Sequence, residues 1–280
     1  MREIEASAIS LAVTGLCRRA NYELGTDVLG ALEKAQQSEE SPLGRKLLGL
    51  LIENARIAAK GERPLCQDCG SVVVFLEVGQ DIHINGGLID AITEGVRHGY
   101  GENYLRKSMV TQPFSARLNT GDNTPPIIHT EIVPGDKLKI YVMAKGSGAE
   151  NMSRLAMLKP GAGSEGIIEE VTATVFAAGG SPCPPLVIGL GIGATAEKAM
   201  FMAKKALLRP LGQPNPDAEV AKLEKNVLER VNALGIGPLG FGGSVTVLAV
   251  HAEALATHIA SLPVAINLQC HSARHREVVL

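Results

Sequence analysis

The chain has 280 residues with a formal net charge of −2, and 45% of them are hydrophobic while only 3% are aromatic. A chain of this length and composition can bury a large core, as one big domain or two smaller ones. The scarcity of aromatic rings and the absence of a basic excess argue against a nucleic-acid or membrane-binding surface, so we expect neither as a partner.

Apolar residues at helical spacing, with clear helix-end signals, predict that residues 1–62 are helical. The predicted helices run from about Ile4 to Ala20, from near Asp27 to Gln37, and from Pro42, after Ser41 as N-cap, to just before Gly61. Cys17 falls in the first helix, where we interpret it as a small core hydrophobe.

After residue 62, strands and helices are mixed along the chain. The predicted strands are Ser71–Val78, Ile127–Val133, Lys137–Ala144, Leu186–Ile192, Ser244–His251 and Val264–Leu268. The predicted helices are Leu88–Tyr104, Gly166–Ala178, Thr195–Leu208, Asp217–Leu234 and Ala252–Ala260, the last containing His258. Turn residues at Pro134-Gly135-Asp136, between two alternating runs, predict a β-hairpin.

These elements place the protein in the α+β class, with a helical N-terminal part followed by mixed strands and helices around cysteine-bearing loops. We assign residues 1–280 to a single domain with room for two lobes. No unbroken apolar run approaches the roughly 20 residues that a membrane span needs, and Met1–Glu5 carries acids where a signal peptide would be hydrophobic. Five cysteines, an odd number, suit a reducing compartment. We therefore expect a cytoplasmic protein.

The segment 64–70 concentrates chemically active side chains. Two thiols, an amide and a carboxylate stand in four consecutive positions, between a proline and a glycine that opens an apolar run. This pattern is typical of a tight loop that enters a strand, with side chains converging on something other than a core.

Four interpretations of the cysteines are open from the residues alone. Cys66 and Cys69 could join a structural zinc site, although zinc knuckles usually pair two short clusters and only one is present. They could form a redox pair, although such a pair should open a helix and this one opens a strand. All five thiols could be inert. Finally, Cys66, Cys183 and Cys270, each on a loop at the edge of a predicted strand, could hold an iron–sulfur cluster. Three thiolates leave one iron open as a Lewis acid.

Four segments resemble the class I, iron–sulfur fumarate hydratases. They read PLCQDCG (64–70), KGSGAENMS (145–153), GGSPCPPLVIGLGIG (179–193) and NLQCHSARHR (267–276). The resemblance covers essentially the whole chain and is closest to the alpha-type half of these enzymes, to which L-tartrate dehydratase alpha subunits are close relatives. It implies a hydro-lyase that interconverts the C4 dicarboxylates malate and fumarate on a [4Fe–4S] cluster. It also implies a hetero-oligomer, in which a separate beta-type subunit completes the active site.

The same resemblance implies roles for individual residues. The cluster ligands would be Cys66, Cys183 and Cys270. The substrate-binding residues would be Gln67, Arg106, Gly146 and Gly148, the two glycines lying in the loop Lys145–Asn151. The catalytic residues would be Asp68, as acid/base, and its partner His258. Arginine suits a carboxylate because of its forked donors, and Asp–His coupling orients the proton and tunes both pKa values.

Each of these residues also has an ordinary structural interpretation. Asp68 could form an Asx turn, Arg106 could be a solvated charge at a helix end, and His258 could be a satisfied buried histidine. The glycine loop could be a plain turn. A basic cluster near Cys270 comprises His271, Arg274 and Arg276. We interpret it as a source of positive potential that favours anions, or as a subunit contact.

One position departs from the family pattern. Cys69 stands where the family usually has threonine, which makes it a near-isostere, an alternative ligand or a disulfide partner for Cys66. Two other functions compete with fumarate hydration. Tartrate dehydration needs the same site with room for one more hydroxyl. A non-catalytic zinc- or cluster-binding protein of assembly or regulation would need the cysteines but no turnover.

Overall fold

The computed structural model describes residues 2–61 and 63–280. Its helices are α1 (Ala6–Tyr22), α2 (Thr26–Ser38), α3 (Pro42–Ala59), α4 (Leu88–Glu102), α5 (Ser147–Glu150), α6 (Gly163–Ala178), α7 (Ala196–Ala206) and α8 (Ala218–Asn232). Its strands are β1 (Arg2–Glu5), β2 (Ser71–Gly79), β3 (Ile82–Asn85), β4 (Ile127–Val133), β5 (Leu138–Lys145), β6 (Arg154–Leu158), β7 (Leu186–Gly193), β8 (Val247–Leu255), β9 (Leu262–Gln269) and β10 (His275–Val279). The mixture of helices with mixed sheets confirms the α+β class.

The chain separates into two compact units. The first unit holds the chain up to Leu24 together with Ala55–Ser147 and Arg274–Leu280, and the second holds Gly25–Asn54 and Gly148–Ala273. The N-terminal segment therefore contributes to both units. It is helical as predicted except at Arg2–Glu5, which form strand β1 because they pair in parallel with β3. Within residues 2–61 and 63–280, no helix combines the length and apolar character that crossing a membrane requires.

The first unit is built on a four-stranded sheet in the order β10-β5-β2-β4. β2 is the most hydrophobic of these strands and is buried along most of its length, so it takes a central place, parallel to β4 and antiparallel to β5. Its side chains at Val72, Val74 and Leu76 pack with those of α1 and α4 in one apolar core. Cys17 is fully buried in this core, which confirms its interpretation as a core residue.

The hairpin predicted around Pro134–Asp136 is wrong, although both of its strands exist. β2 lies between β4 and β5, so these two strands do not pair with each other. Their connection bonds instead to the turn that follows β2, where Gly79 donates to Lys137 O and Asp81 donates to Gly135 O. A long apolar strand that needs partners on both edges has displaced the local pairing.

The second unit is built on a sheet in the order β6-β9-β7-β8, with α6 and α8 packed against one face. Helix α7 packs on β7 from the opposite face. A Cβ added to Gly191 or Gly189 would lie 2.0 Å from Ala199 O or Ala203 O respectively, so only glycine permits this close approach. Gly189 and Gly191 of the 179–193 segment thus serve helix packing.

The helix predicted over Ala252–Ala260 is also wrong. β8 continues to Leu255, because Ala252 to Leu255 pair in parallel with Leu190 to Gly193 of β7. After β8 the chain is irregular through His258. Pairing with a central strand has overridden the helix propensity of this alanine-rich segment.

Buried His251 predicts an acid-sensitive second unit. The side chain is 2% exposed on β8, and its pKa is lowered to about 4 by burial and by the nearby Arg209 charge, against the opposing effects of Glu224 and Asp27. The folded state keeps this imidazole neutral, whereas the unfolded chain binds a proton below pH 6.5. Because only the unfolded chain binds this proton, the free energy of unfolding is expected to fall by about 3 kcal/mol as the pH drops from 6.5 to 4.

Urea unfolding across this pH range would measure the effect. His251→Gln should flatten the pH dependence between pH 6.5 and 5, because it removes the buried imidazole. An identical pH dependence in the parent and in His251→Gln would contradict the assignment.

Candidate active site

Asp68 is fixed by hydrogen bonds to both of its carboxylate oxygens. Oδ1 accepts from Gly70 N at 2.9 Å, and Oδ2 accepts from Ser147 N at 2.9 Å and from Ser147 Oγ at 3.4 Å. The bond to Gly70, two residues on, is the Asx turn that the sequence allowed. The bonds to Ser147 add a second function, because they join the 64–70 loop to the glycine loop after β5. The acid/base role of Asp68 stays a prediction.

The two loop glycines sit in different surroundings. A Cβ on buried Gly146 would lie 3.2 Å from Arg274 Nη2 and 3.3 Å from Asp68 Oδ2, so a side chain there would crowd the carboxylate. Gly148 belongs to the second unit, where its Cβ would lie 3.1 Å from Ser181 O, two residues before Cys183. The segment forms a single helical turn, α5, in place of a plain turn.

Arg106 is exposed, which matches its interpretation as a solvated charge after α4 and leaves its guanidinium accessible. Its main chain is nevertheless tied to the 64–70 loop, since Arg106 N donates to Cys69 Sγ at 3.2 Å. Two residues further on, Ser108 N donates to Asn123 Oδ1 at 2.7 Å. The exposed guanidinium of Arg106 thus extends from a backbone that is held by the side chains of Cys69 and Asn123.

Cys69 faces the core of the first unit. It is 2% exposed, accepts from Arg106 N, and donates to Cys66 O at 3.7 Å. Burial raises the pKa of this thiol, which disfavours the thiolate that a metal needs. A threonine hydroxyl could make both bonds, so the geometry favours the near-isostere interpretation.

Cys66 is half-buried at the other end of the loop, with the side chain of Gln67 exposed beside it. The Cys66 thiol accepts from Asp68 N at 3.4 Å and donates to Gln67 Oε1 at 3.3 Å. The Asp68 N–H thus ties the sulfur of Cys66 to the backbone of its own loop.

The second unit brings the other two cysteine loops together. Exposed Cys183 has a φ of +57°, unusual for a residue other than glycine, and its carbonyl accepts from His271 N at 3.4 Å and from His271 Nδ1 at 3.1 Å. Half-buried Cys270 accepts from Gln269 Nε2 at 3.5 Å and donates to Ser272 O at 3.6 Å. Cys183 and Cys270 therefore stand on two loops joined through His271.

His258 is exposed, so its interpretation as a buried histidine is wrong. Its Nδ1 accepts from Ala260 N at 3.1 Å, which leaves Nε2 free to face a ligand. The ring lines a cavity of about 480 Å³ in the second unit, together with Thr195, Lys198 and Ser261. Asp68 belongs to the first unit, so the pairing of His258 with Asp68 stays a prediction.

The chemistry of the thiols fits a three-cysteine cluster site. All five cysteines lie in the described part of the chain and none is in a disulfide. Accessibility divides them into buried Cys17 and Cys69 and the partly or fully exposed Cys66, Cys183 and Cys270. These last three are the predicted ligands. Across residues 2–61 and 63–280, no group of three or more His, Cys, Asp or Glu side chains is already gathered to hold a metal ion.

The sequence interpretation missed the buried side chain of Arg274 that bonds the backbone of the 64–70 loop. Arg274 was placed in a general basic cluster, yet its side chain is 2% exposed and Nη1 donates to Asp68 O at 2.6 Å. The strand β10, which follows Arg274, was also missed. Its sequence, with three polar residues followed by Val278 and Val279, lacks the apolar alternation that would have indicated a strand.

Comparison with known proteins places this chain in a family. A family model described as "Fumarate hydratase (Fumerase)" matches residues 10–279. A protein of Methanocaldococcus jannaschii, provisionally named L(+)-tartrate dehydratase subunit alpha, is 44% identical over 272 residues, which is 95% of each chain. The L(+)-tartrate dehydratase subunit alpha of Escherichia coli strain UTI89 is 32% identical over 252 residues, covering 89% of this chain and 82% of that protein. The chain therefore belongs to the fumarate hydratase (Fumerase) family of hydro-lyases.

Proposed function

We propose that this chain is the alpha-type subunit of an iron–sulfur hydro-lyase that reversibly adds water to fumarate to give malate. The observation that carries the proposal is the 64–70 loop, where Asp68 is held through both carboxylate oxygens next to the half-buried thiol of Cys66. Family membership over residues 10–279 supports the reaction class. We treat residues 1–280 as one domain of this alpha type.

Cys66, Cys183 and Cys270 would hold the [4Fe–4S] cluster, because they are the accessible thiols of the chain. When bound, a cluster with three thiolate ligands supplies an open iron, a Lewis acid for a substrate hydroxyl and carboxylate. The burial of Cys17 and Cys69 argues against either thiol as a cluster ligand.

The remaining site residues bind substrate and move a proton. Exposed Arg106 would grip a substrate carboxylate with its forked guanidinium, and exposed Gln67 would contact the substrate beside it. Gly146 and Gly148 would let the backbone of their loop approach the substrate closely. Asp68 would exchange a proton at Oδ2, while the Ser147 N–H holds that oxygen in place. His258 would bond Asp68 through Nε2, which would orient the proton that Asp68 exchanges.

Tartrate is the second candidate substrate. It is favoured by the names of the relatives, which are tartrate dehydratase alpha subunits at 44% and 32% identity. The same names support a beta-type partner subunit, and hence a hetero-oligomer. Five cysteines without a disulfide in the described residues support a reducing compartment, and we propose that the protein is cytoplasmic.

The decisive test is metal analysis followed by kinetics. Anaerobically prepared protein is expected to contain about four iron and four sulfide per chain and to absorb visible light. The chain alone should be nearly inactive, and co-expression with a beta-type subunit should give turnover. The ratio of kcat/KM for malate and L-tartrate then identifies the substrate.

Three outcomes would contradict the proposal in different ways. Stoichiometric zinc without iron would turn the cysteine site into a structural one. Iron without turnover beside a beta-type partner would favour a non-catalytic cluster protein. Strong turnover by the chain alone would remove the need for a partner subunit.

A further inference from the structure

Three successive main-chain carbonyls of the 64–70 loop each accept a hydrogen bond from a buried side chain. Asp68 O accepts from Arg274 Nη1 at 2.6 Å, Cys69 O from Tyr100 Oη at 2.6 Å, and Gly70 O from Asn123 Nδ2 at 3.1 Å. We name Arg274, Tyr100 and Asn123 the carbonyl-donor set. They are 2%, 0% and 0% exposed.

The donors come from distant parts of the chain but all belong to the first unit. Tyr100 lies on α4, Asn123 in the segment before β4, and Arg274 just before β10. A buried polar side chain costs stability unless it is bonded, so three of them on consecutive carbonyls form a built support for the loop.

Arg274 combines this support with a charge beside Asp68. Its Nη2 lies 3.2 Å from the position of a Cβ on Gly146, and Asp68 Oδ2 lies 3.3 Å from that same position. Nη1 also bonds Asn21 Oδ1 at 3.3 Å, which anchors the guanidinium to the end of α1. The Nε atom is buried and lacks a hydrogen-bond partner among the described residues. Among the described residues, the guanidinium donates to Asp68 O and to Asn21 Oδ1, and the shorter bond, to the Asp68 carbonyl, is its main attachment.

Asn123 extends the support to the predicted carboxylate binder. The same amide that donates to Gly70 O accepts from Ser108 N, two residues after Arg106. The donor set therefore fixes the distance between the Asp68 loop and the Arg106 segment within one unit.

We propose that the residues of the carbonyl-donor set are positioning residues. They hold Asp68 and Arg106 at the positions that the reaction requires, and Arg274 contributes most to this positioning. This inference rests on the proposed function, because it assigns the set to the hydro-lyase site. It predicts that substitutions in the set lower kcat because they displace Asp68, although the set itself does not contact the substrate.

The test uses Arg274→Gln, Arg274→Lys and Tyr100→Phe in the complex with a beta-type subunit. Positioning residues of this kind commonly change activity by about 10- to 100-fold. Arg274→Gln is expected to lower kcat by about 100-fold and Tyr100→Phe by about tenfold, with KM changed less than about threefold. Arg274→Lys should recover part of the kcat, since it keeps the charge and one donor.

A second readout does not depend on activity or on the cluster. Amide hydrogen exchange at Gly70 and Ser147, whose N–H groups bind the Asp68 carboxylate, should accelerate by about tenfold or more in Arg274→Gln. Tyr22→Phe is the matched control for Tyr100→Phe, because Tyr22 Oη also donates to a carbonyl, that of Asn103. It should leave kcat and loop exchange unchanged.

The outcomes separate this inference from the proposed function. Faster loop exchange in a protein that dehydrates neither malate nor L-tartrate would support the positioning role and reject the hydro-lyase assignment. Unchanged exchange and kcat in Arg274→Gln and Tyr100→Phe would overturn the positioning role. So would a lower melting temperature with an unchanged kcat, because the set would then serve stability alone.

Discussion

Replacing Cys183 with serine is expected to strip the iron from the protein and to lower hydro-lyase turnover on the order of a thousandfold. A serine hydroxyl does not ionise near neutral pH, so the site would keep only two thiolates. The fold should not suffer, because the Cys183 side chain is exposed and its backbone is held through the carbonyl by His271. We expect the free energy of unfolding to change by less than about 0.5 kcal/mol.

Iron and sulfide content, visible absorption and kcat measure this prediction together. Cys69→Thr is the control thiol substitution and should retain the iron and most of the turnover, because the new hydroxyl can bond Arg106 N and Cys66 O as the thiol does. Undiminished iron in Cys183→Ser would contradict the ligand assignment. Iron loss in Cys69→Thr that equals the loss in Cys183→Ser would make Cys69 a ligand.

The helices and the cysteine loops could be predicted because their signals are local. Ser41 and Pro42 mark the start of α3, and Asp217 marks the start of α8, where its side chain caps Glu219 N and Val220 N. Each signal depends on neighbours within one helical turn, so one stretch of sequence contains it entirely. The apolar strand after the 64–70 loop was visible for the same reason.

Strand pairing could not be predicted in the same way. The turn signal at Pro134–Asp136 is genuine, yet β2, which precedes β4 by a whole helix, takes the place between β4 and β5. The alanine-rich segment after His251 failed similarly, because its state depends on β7, far away in sequence. The most apolar strand takes the place between two others because its burial there is most favourable. No local sequence pattern shows which strand will pair with which.

The support of the candidate site was hidden for a related reason. Arg274, Tyr100 and Asn123 each donate to a backbone carbonyl, and a carbonyl is present at every position of every sequence. A side chain that binds backbone therefore leaves no matching residue type to search for. The residues that would touch substrate have distinctive chemistry, whereas those that position them carry no such signature.

Replacing Asp68 with asparagine is expected to lower kcat by about 10²- to 10⁴-fold while the iron content stays unchanged. The amide cannot exchange the proton that a carboxylate exchanges. It also cannot accept from both Gly70 N and Ser147 N, since one of its two terminal atoms is a donor. A loss of about 1–3 kcal/mol in the free energy of unfolding should accompany the loss of turnover.

Asp122 supplies a control with the same turn. Its Oδ1 accepts from Thr124 N at 3.0 Å, two residues on, and its Oδ2 accepts from Arg97 Nε at 3.0 Å. Asp122→Asn should lose stability of similar size and keep its turnover. Asparagine forms Asx turns as readily as aspartate, so a purely structural Asp68 would respond like Asp122. Equal kcat values for the two variants would thus contradict the acid/base role, and a large difference between them would isolate the chemical contribution of Asp68 from its turn.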